Sequence, residues 1–354
     1  MRKKKFKITL IILISLSLSL ISFAQEPTRV GTTAAAFLEY GYGASGSAMG
    51  DAYVSVANDL SSVYWNPAGL ANVENTQVMF VYQPWFADIN SSFGAVGHSI
   101  RGIGTIAVSL ISVNYGDMPV TTLAMQDGTG EEFSASDMAF GLSYGRNLTN
   151  WFAFGASAKF ITSNIWHTNA YAFATDLGVI INTLFMSPTG TRNHGMAIGM
   201  SISNYGTRMQ YSGIDLINPI DINTNEAGNF RDVPGQFRLS QWELPLIFRI
   251  GVSITPMVTD VHKFMFSIDA LHPNNNAESV NLGAEYSWTL PGMLKFSFRG
   301  GYKALYMPES IYGVSFGFGI ETFLLHNTSL KVDYAYRDTG IFGGVSSLGF
   351  AFEF

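Results

Sequence analysis

From Gln77 to the last residue, apolar and polar positions alternate one by one, segment after segment. Tyr312, Val314, Phe316, Phe318 and Ile320 are separated by Gly313, Ser315, Gly317 and Gly319. Val280, Leu282, Ala284, Tyr286 and Trp288 interleave with Asn281, Gly283, Glu285, Ser287 and Thr289. Leu330, Val332, Tyr334 and Tyr336 do the same with Lys331, Asp333, Ala335 and Arg337, and the chain closes on Leu348, Phe350, Phe352 and Phe354. A period of two sends successive side chains to opposite faces of a strand.

Fourteen such segments are counted, near 77–86, 90–100, 103–118, 133–147, 151–166, 170–183, 194–209, 243–255, 262–272, 279–289, 294–304, 311–322, 328–338 and 343–354. Many reach ~10 residues, the length a tilted strand needs to cross a bilayer. Ordinary globular strands average about 5–6. The connections at 101–102, 147–150, 290–293 and 324–327 are tight, while 118–132, 212–242, 272–278 and 305–310 are longer and polar. An even strand count with short turns at one end and long loops at the other is the layout of an outer-membrane barrel. Hydrocarbon tolerates no open strand edge, so the last strand must pair with the first. The pattern therefore predicts an all-β fold, a transmembrane antiparallel β-barrel of about 14 strands. Its aromatic and branched set faces lipid; its Gly, Ser and charged set faces the lumen. A soluble β-sandwich is the competing arrangement, but it covers one face only and has little use for so many long aromatic strands.

In that frame Glu285, then Lys295 with Arg299, then Glu321, Lys331 and Glu353 fall on the lumenal side of neighbouring strands with alternating sign. Opposite charges across strands stabilise by roughly 0.2–1 kcal/mol each. Cross-strand pairing in a wet lumen is the simpler reading of these residues; a path for a charged substrate is the other.

Composition fits. Of 354 residues only 13% are charged and 14% are aromatic, and 36 are Gly; average globular chains carry about 25% charge. Arg2, Lys3, Lys4, Lys5 and Lys7 precede an apolar stretch diluted by serines and ending at Ala24. That is the layout of a signal peptide over 1–24, with an uncleaved anchor helix as the alternative. Losing those five cations takes the formal charge from −6 to −11, so no nucleic-acid partner is expected. There is no Cys, hence no disulfide. The six His do not fall at metal spacing and no G-x-S-x-G occurs; no catalytic residue, metal or cofactor is expected. The signal is for binding and passage rather than chemistry.

Residues 25–76 do not alternate and read as a separate unit ahead of the barrel at 77–354. Short helices are expected near 32–40 and 51–59. Gly41 to Gly46 formally matches G-x-G-x-x-G, but no βαβ unit surrounds it, so turns and close packing explain the glycines better. "SSVYWNPAGLA", Ser61 to Ala71, is denser. Asn66 is a capping residue and Pro67 suits a first helical turn. Tyr64 and Trp65 supply apolar bodies with polar tips. The segment is expected to be a hatch or plug inside the lumen, with Tyr64, Trp65, Asn66, Pro67, Ala68 and Gly69 as its binding candidates. The long link at 212–242 carries Ile214, Leu216, Ile217, Ile220 and Phe237 on a polar background. It is read as a partner surface or as a lid over the mouth.

"GASGSAMGDAYVSVANDLSSVYWNPAGLA", Gly43 to Ala71, resembles the N-terminal signature of the PorV/PorQ family, within the broader FadL-like barrels. Val30 to Ala44, Leu244 to Ile254 and the closing strands fit the same resemblance. It implies a 14-stranded outer-membrane barrel with Asn66, Pro67 and Ala68 in an N-terminal hatch. It also implies a role beside the type IX secretion system, with secretion components or cargo proteins as partners besides outer-membrane lipid. Uptake of a hydrophobic ligand in the FadL manner is the alternative, and a purely structural barrel a third reading. Either way the address is the bacterial outer membrane. The purified protein is expected to need detergent and to give a strand-dominated circular dichroism spectrum; a helical spectrum, or solubility without detergent, contradicts the barrel.

Overall fold

The computed structural model describes residues 29–223, 225, 232–292, 294–324 and 328–354. The expected signal peptide, 1–24, lies outside the described residues, as do 25–28 of the expected hatch.

The wall begins with β1 (Thr76–Pro84), β2 (Asn90–Ile100), β3 (Gly104–Pro119), β4 (Glu132–Asn147), β5 (Phe152–Ile165), β6 (Thr168–Asn182) and β7 (Ala197–Gly206). The long link after β7 contributes three short pieces, β8 (Ser212–Gly213), β9 (Ile217–Ile220) and β10 (Val233–Gln236). The wall resumes with β11 (Ile247–Val258), β12 (His262–Pro273), β13 (Ser279–Leu290) and β14 (Leu294–Leu305). It ends with β15 (Val314–Phe323), β16 (Ser329–Asp338) and β17 (Gly344–Glu353). Wall neighbours are antiparallel, β7 pairs with β11, and β1 pairs with β17, which closes a 14-stranded barrel. At the seam Phe80 stands opposite Phe350 and Val78 opposite Phe352.

Each expected segment corresponds to one wall strand. The differences are local. β7 starts three residues late because Arg192–His194 forms a 3-10 turn. β11 starts at Ile247, after Glu243 has bridged to Thr33 and Pro245 has removed a donor. Tyr312 lies ahead of β15, with the Lys303 ammonium 4.1 Å from its ring centre. The alternation of link lengths breaks at two consecutive links. The β5–β6 link at the long-loop end is only Trp166-His167, and the β6–β7 link at the short-turn end spans 183–196.

Val78, Phe80, Tyr82, Phe316, Phe350 and Phe352 are exposed. Rings continue across strands, with centroids 5.6 Å apart for Trp288–Phe296 and 5.0 Å for Phe316–Tyr336. No helix among the described residues is long and apolar enough to cross a membrane; the wall crosses with strands.

Inside the ring runs the N-terminal segment, with 3-10 turns Ala36–Glu39 and Pro67–Asn72 and short helices Ala44–Ala48 and Ser62–Trp65. Tyr42, Met49, Val54, Leu60 and Leu70 are fully buried. The helix expected near 32–40 shrinks to Ala36–Glu39. The one expected near 51–59 does not form. Gly50 and Asp51 take left-handed φ values of 64° and 63°. Side chains of the wall then replace the helical bonds. The Asp269 carboxylate accepts from the Val54 N–H at 2.8 Å, and Ser267 Oγ donates to the Ala52 carbonyl at 2.7 Å.

A Phe80→Lys substitution puts a cation on the lipid side of β1. It is expected to cost about 2–4 kcal/mol if Phe80 lies at the bilayer midplane, measured by denaturant unfolding in lipid. An unchanged midpoint would place this face away from hydrocarbon.

Candidate functional site

The Asn-Pro-Ala element is a local structure before it is a contact. Asn66 Oδ1 accepts from the Ala68 N–H at 3.1 Å, capping the Pro67–Asn72 turn with Pro67 at its first position. Asn66 Nδ2 donates to the Val54 carbonyl at 2.8 Å and to the Val179 carbonyl of β6 at 3.1 Å. One side chain thus ties the turn to its own segment and to the wall. The wall receives it on a row of glycines, Gly145, Gly155 and Gly178, paired side by side across β4, β5 and β6. A Cβ on Gly155 would collide with Pro67, and one on Gly178 with Asn66 Oδ1. Backbone packs there on backbone. Within the segment, a Cβ on Gly46 would sit 2.6 Å from the Trp65 indole, and Tyr64 Oη donates to the Leu38 carbonyl at 3.0 Å. Tyr64, Trp65, Asn66, Pro67, Ala68 and Gly69 are all buried. The voids beside them, one lined by Val63, Tyr64, Phe93 and Lys159 and one by Gly43, Ser45, Asp59 and Gly349, are about 10 Å³ each, room for about one water.

Charge does the rest of the holding. Asp51 pairs with Arg337 and, at 2.7 Å, with Lys303. Arg337 also donates to the Tyr40 carbonyl at 2.9 Å. Asp59 meets Lys331 at 3.1 Å, and Ser45 Oγ donates to Asp333 at 2.9 Å. Arg249 lies over the rings of Tyr64 and Trp65, 5.7 and 6.0 Å from their centres, a cation–π contact between wall and segment. Of the six lumenal charges read from the sequence, Glu285 meets Arg299 at 2.6 Å and Lys295 meets Glu321 at 3.2 Å. Lys331 stands opposite Glu321 in register but turns to Asp59 and Asp333. Glu353 accepts from Asn75 and Gln77 instead. Sequence reasoning missed Asp51 and Asp59. They are the only charged residues between Tyr40 and Val73, and that isolation was the available signal.

At the outer mouth, Thr33 bridges in parallel to Glu243, and the Ala34 N–H donates to the Glu243 carbonyl at 2.9 Å. Hydrogen bonds from Arg29 and Arg208 to its carboxylate hold Glu243 below the usual carboxylate range. Burial raises Glu39 above that range, despite a hydrogen bond from Asn275. The link beyond forms a β9–β10 hairpin. Ile214, Ile217, Ile220 and Phe237 are exposed, and Leu216 is half-buried with its carbonyl accepting from the Phe237 N–H. Pro219 faces Pro234 across the hairpin. Two residues without N–H groups can face each other only as a non-hydrogen-bonded pair, so the missing donors point outward and blunt both edges. Below it lies a cleft of about 500 Å³ lined by Tyr171, Arg208, Gln210, Tyr211, Phe237 and Arg238.

A closed, lipid-facing 14-strand barrel with its bore occupied by its own N-terminal segment is an outer-membrane protein of the FadL-like fold, located in the bacterial outer membrane. The chain is similar in structure to the Pseudomonas putida toluene transporter TodX, with a TM-score of 0.58 at 10% identity, over 89% of this chain and 99% of that one. The Ralstonia pickettii toluene transporter TbuX gives a TM-score of 0.53 at 12% identity, over 88% and 97%. At such identity the likeness is one of fold. No curated protein sequence is significantly similar to the chain. The family described as type IX secretion system protein PorV matches residues 23–236, and the chain belongs to it.

Asp51→Ala strands Lys303 and Arg337 without their anion, a loss of about 3–5 kcal/mol for a buried pair, and Gly155→Val drives a side chain into Pro67. Both are expected to loosen the lumenal segment and to raise ion conductance in planar bilayers, with heat-modifiability of the barrel retained on gels. Conductance equal to the parent protein in both would show that the segment is not held there.

Proposed function

We propose that the protein is a non-enzymatic accessory of type IX protein export, a filled outer-membrane barrel whose outer link engages a secretion component or a cargo protein. The single observation that carries this reading is the family match over residues 23–236. It spans the lumenal segment, β1 to β7 and the hairpin of the long link. Short turns face the periplasm in barrels of this kind, so the link faces the cell exterior. Ile214, Leu216, Ile217, Ile220 and Phe237 form the docking surface, used face-on because the prolines blunt the hairpin edges. Tyr64 to Gly69 and the lumenal ion pairs act as the closure of the bore, so that export does not open a leak.

A second reading rests on the fold shared with the hydrocarbon transporters: passage of a hydrophobic small molecule. It requires the Pro67–Asn72 turn to leave its glycine row, because the voids beside it pass nothing larger than water.

Deletion of the gene, complemented by Ile217→Asp/Ile220→Asp, separates the readings. Export predicts unprocessed or released cargo proteins in the deletion strain and in the double variant, with the barrel still present in the membrane. Normal cargo maturation together with lost growth on a hydrophobic carbon source moves the function to the second reading. Normal behaviour in both assays leaves a structural barrel and removes both.

A further inference from the structure

Three arginines at the short-turn end fall on one arc of the barrel, between β2 and β7. The turns at 100–104, 147–152 and 182–197 contain no Asp or Glu, in a chain of net charge −6. Arg101 tops the β2–β3 turn, Arg146 is the last residue but one of β4, and Arg192 sits in the β6–β7 link. Arg146 shares the lipid-facing phase of Phe140, Leu142 and Tyr144, and stands opposite Phe154. Among the described residues none of these three arginines has a carboxylate partner, whereas Lys159, Arg299, Lys303, Lys331 and Arg337 of the wall all do; Arg249 and Lys263 also lack one, but on the lumenal side. Across the barrel at the same end, Lys263 stands opposite Ser287 in the lumenal register, and Lys295 pairs with lumenal Glu321. The described residues of that arc present Trp288, Leu290, Leu294 and Phe352 to lipid and no cation. An aromatic girdle alone does not account for this asymmetry.

The same arc carries the one long link at this end. Residues 183–196 are pinned by their own bonds, Thr183 N–H to the Met196 carbonyl at 3.0 Å and Met196 N–H to the Phe185 carbonyl at 2.8 Å. Arg192 Nη1 donates to the Asn182 carbonyl at 3.3 Å, and the Asn182 N–H donates to the Trp151 carbonyl at 2.8 Å. The link is therefore fastened to the neighbouring turn. It projects Leu184, Phe185 and Met186, exposed by 53, 64 and 56%. Apolar tips beside arginines and a tryptophan are the chemistry of a membrane interface, where long cationic chains reach headgroups and rings lie at headgroup level.

We propose that this arc is a binding site for an anionic phospholipid of the leaflet at the short-turn end. Arg101 and Arg146, on neighbouring turns, hold the phosphate headgroup, Arg192 lies further round the arc beside the next headgroup position, and the acyl chains run along Ile106, Leu142 and Phe154. Guanidinium groups suit phosphate oxygens because they donate in parallel pairs. Basic pockets between membrane-spanning elements hold anionic headgroups in the same way. The link with Leu184 to Met186 closes one side of the site by dipping into the interface.

The test uses the full protein in nanodiscs of phosphatidylcholine with and without phosphatidylglycerol, read by thermal unfolding and by lipid retained in native mass spectrometry. Phosphatidylglycerol is expected to raise the unfolding temperature and to be retained at least fivefold over phosphatidylcholine. Arg101→Gln/Arg146→Gln/Arg192→Gln is expected to abolish both effects, and Arg146→Gln alone to reduce them. Arg238→Gln at the opposite rim keeps them. Heat-modifiability confirms that the variants fold; should the triple variant not insert, the single variant decides. Retention unchanged in Arg146→Gln and the triple variant, or a full shift produced by inorganic phosphate in phosphatidylcholine discs, overturns the proposal.

Discussion

The backbone of β1 must find a partner on both edges, and that demand organises the molecule. Hydrocarbon offers nothing to an open N–H or carbonyl, so the sheet closes and the seam joins Thr76–Pro84 to Gly344–Glu353. Closure turns the alternation of each strand into two surfaces, one of rings and branched chains outside, one of Ser, Gly and charge within. It also creates a bore. A bore of 14 strands is too wide for its own wall side chains to fill, and the chain answers with residues ahead of β1.

How the segment is held follows from that wall. Where lumenal positions are Gly, as at Gly145, Gly155 and Gly178, the backbone of the Asn-Pro-Ala turn comes to rest directly on strands. Where they are charged, Asp51 and Asp59 meet the cations of β14 and β16. Buried ion pairs contribute little net stability over apolar contacts, and are costly to break on one side. Their value here is positional, because the segment's buried apolar side chains, Tyr42, Met49, Leu60 and Leu70 among them, pack without direction, whereas the ion pairs are satisfied by one arrangement. The cation of Arg249 over Tyr64 and Trp65 adds a fixed point at the level of the capping turn.

The same segment reaches the outer mouth, where Thr33 and Ala34 join Glu243 at the end of the long link. The surface proposed to meet export partners and the closure of the bore are therefore parts of one hydrogen-bonded chain. The likeness to hydrocarbon transporters is one of fold, and a filled bore is compatible with either use of it.

Much of this was legible in the residues. Period-two alternation through 77–354 determined the strand count, the lipid-facing set and the antiparallel closure, because side-chain direction in a strand depends only on parity. Asn66-Pro67 announced a capped turn, because capping and a fixed φ are local properties. Partnerships were not local, and tertiary structure decided them. Lys331 turned from Glu321 to Asp59 because a carboxylate from the segment stands nearer to it than its cross-strand neighbour. The residues near 51–59 gave up a helix because Asp269 and Ser267 of the wall took their backbone bonds. The three arginines of the short-turn end are scattered over some ninety positions of sequence and become one arc only when β2 to β7 lie side by side. Parity and caps are written along the chain; which charge meets which depends on distances in space that exist only once the ring is shut.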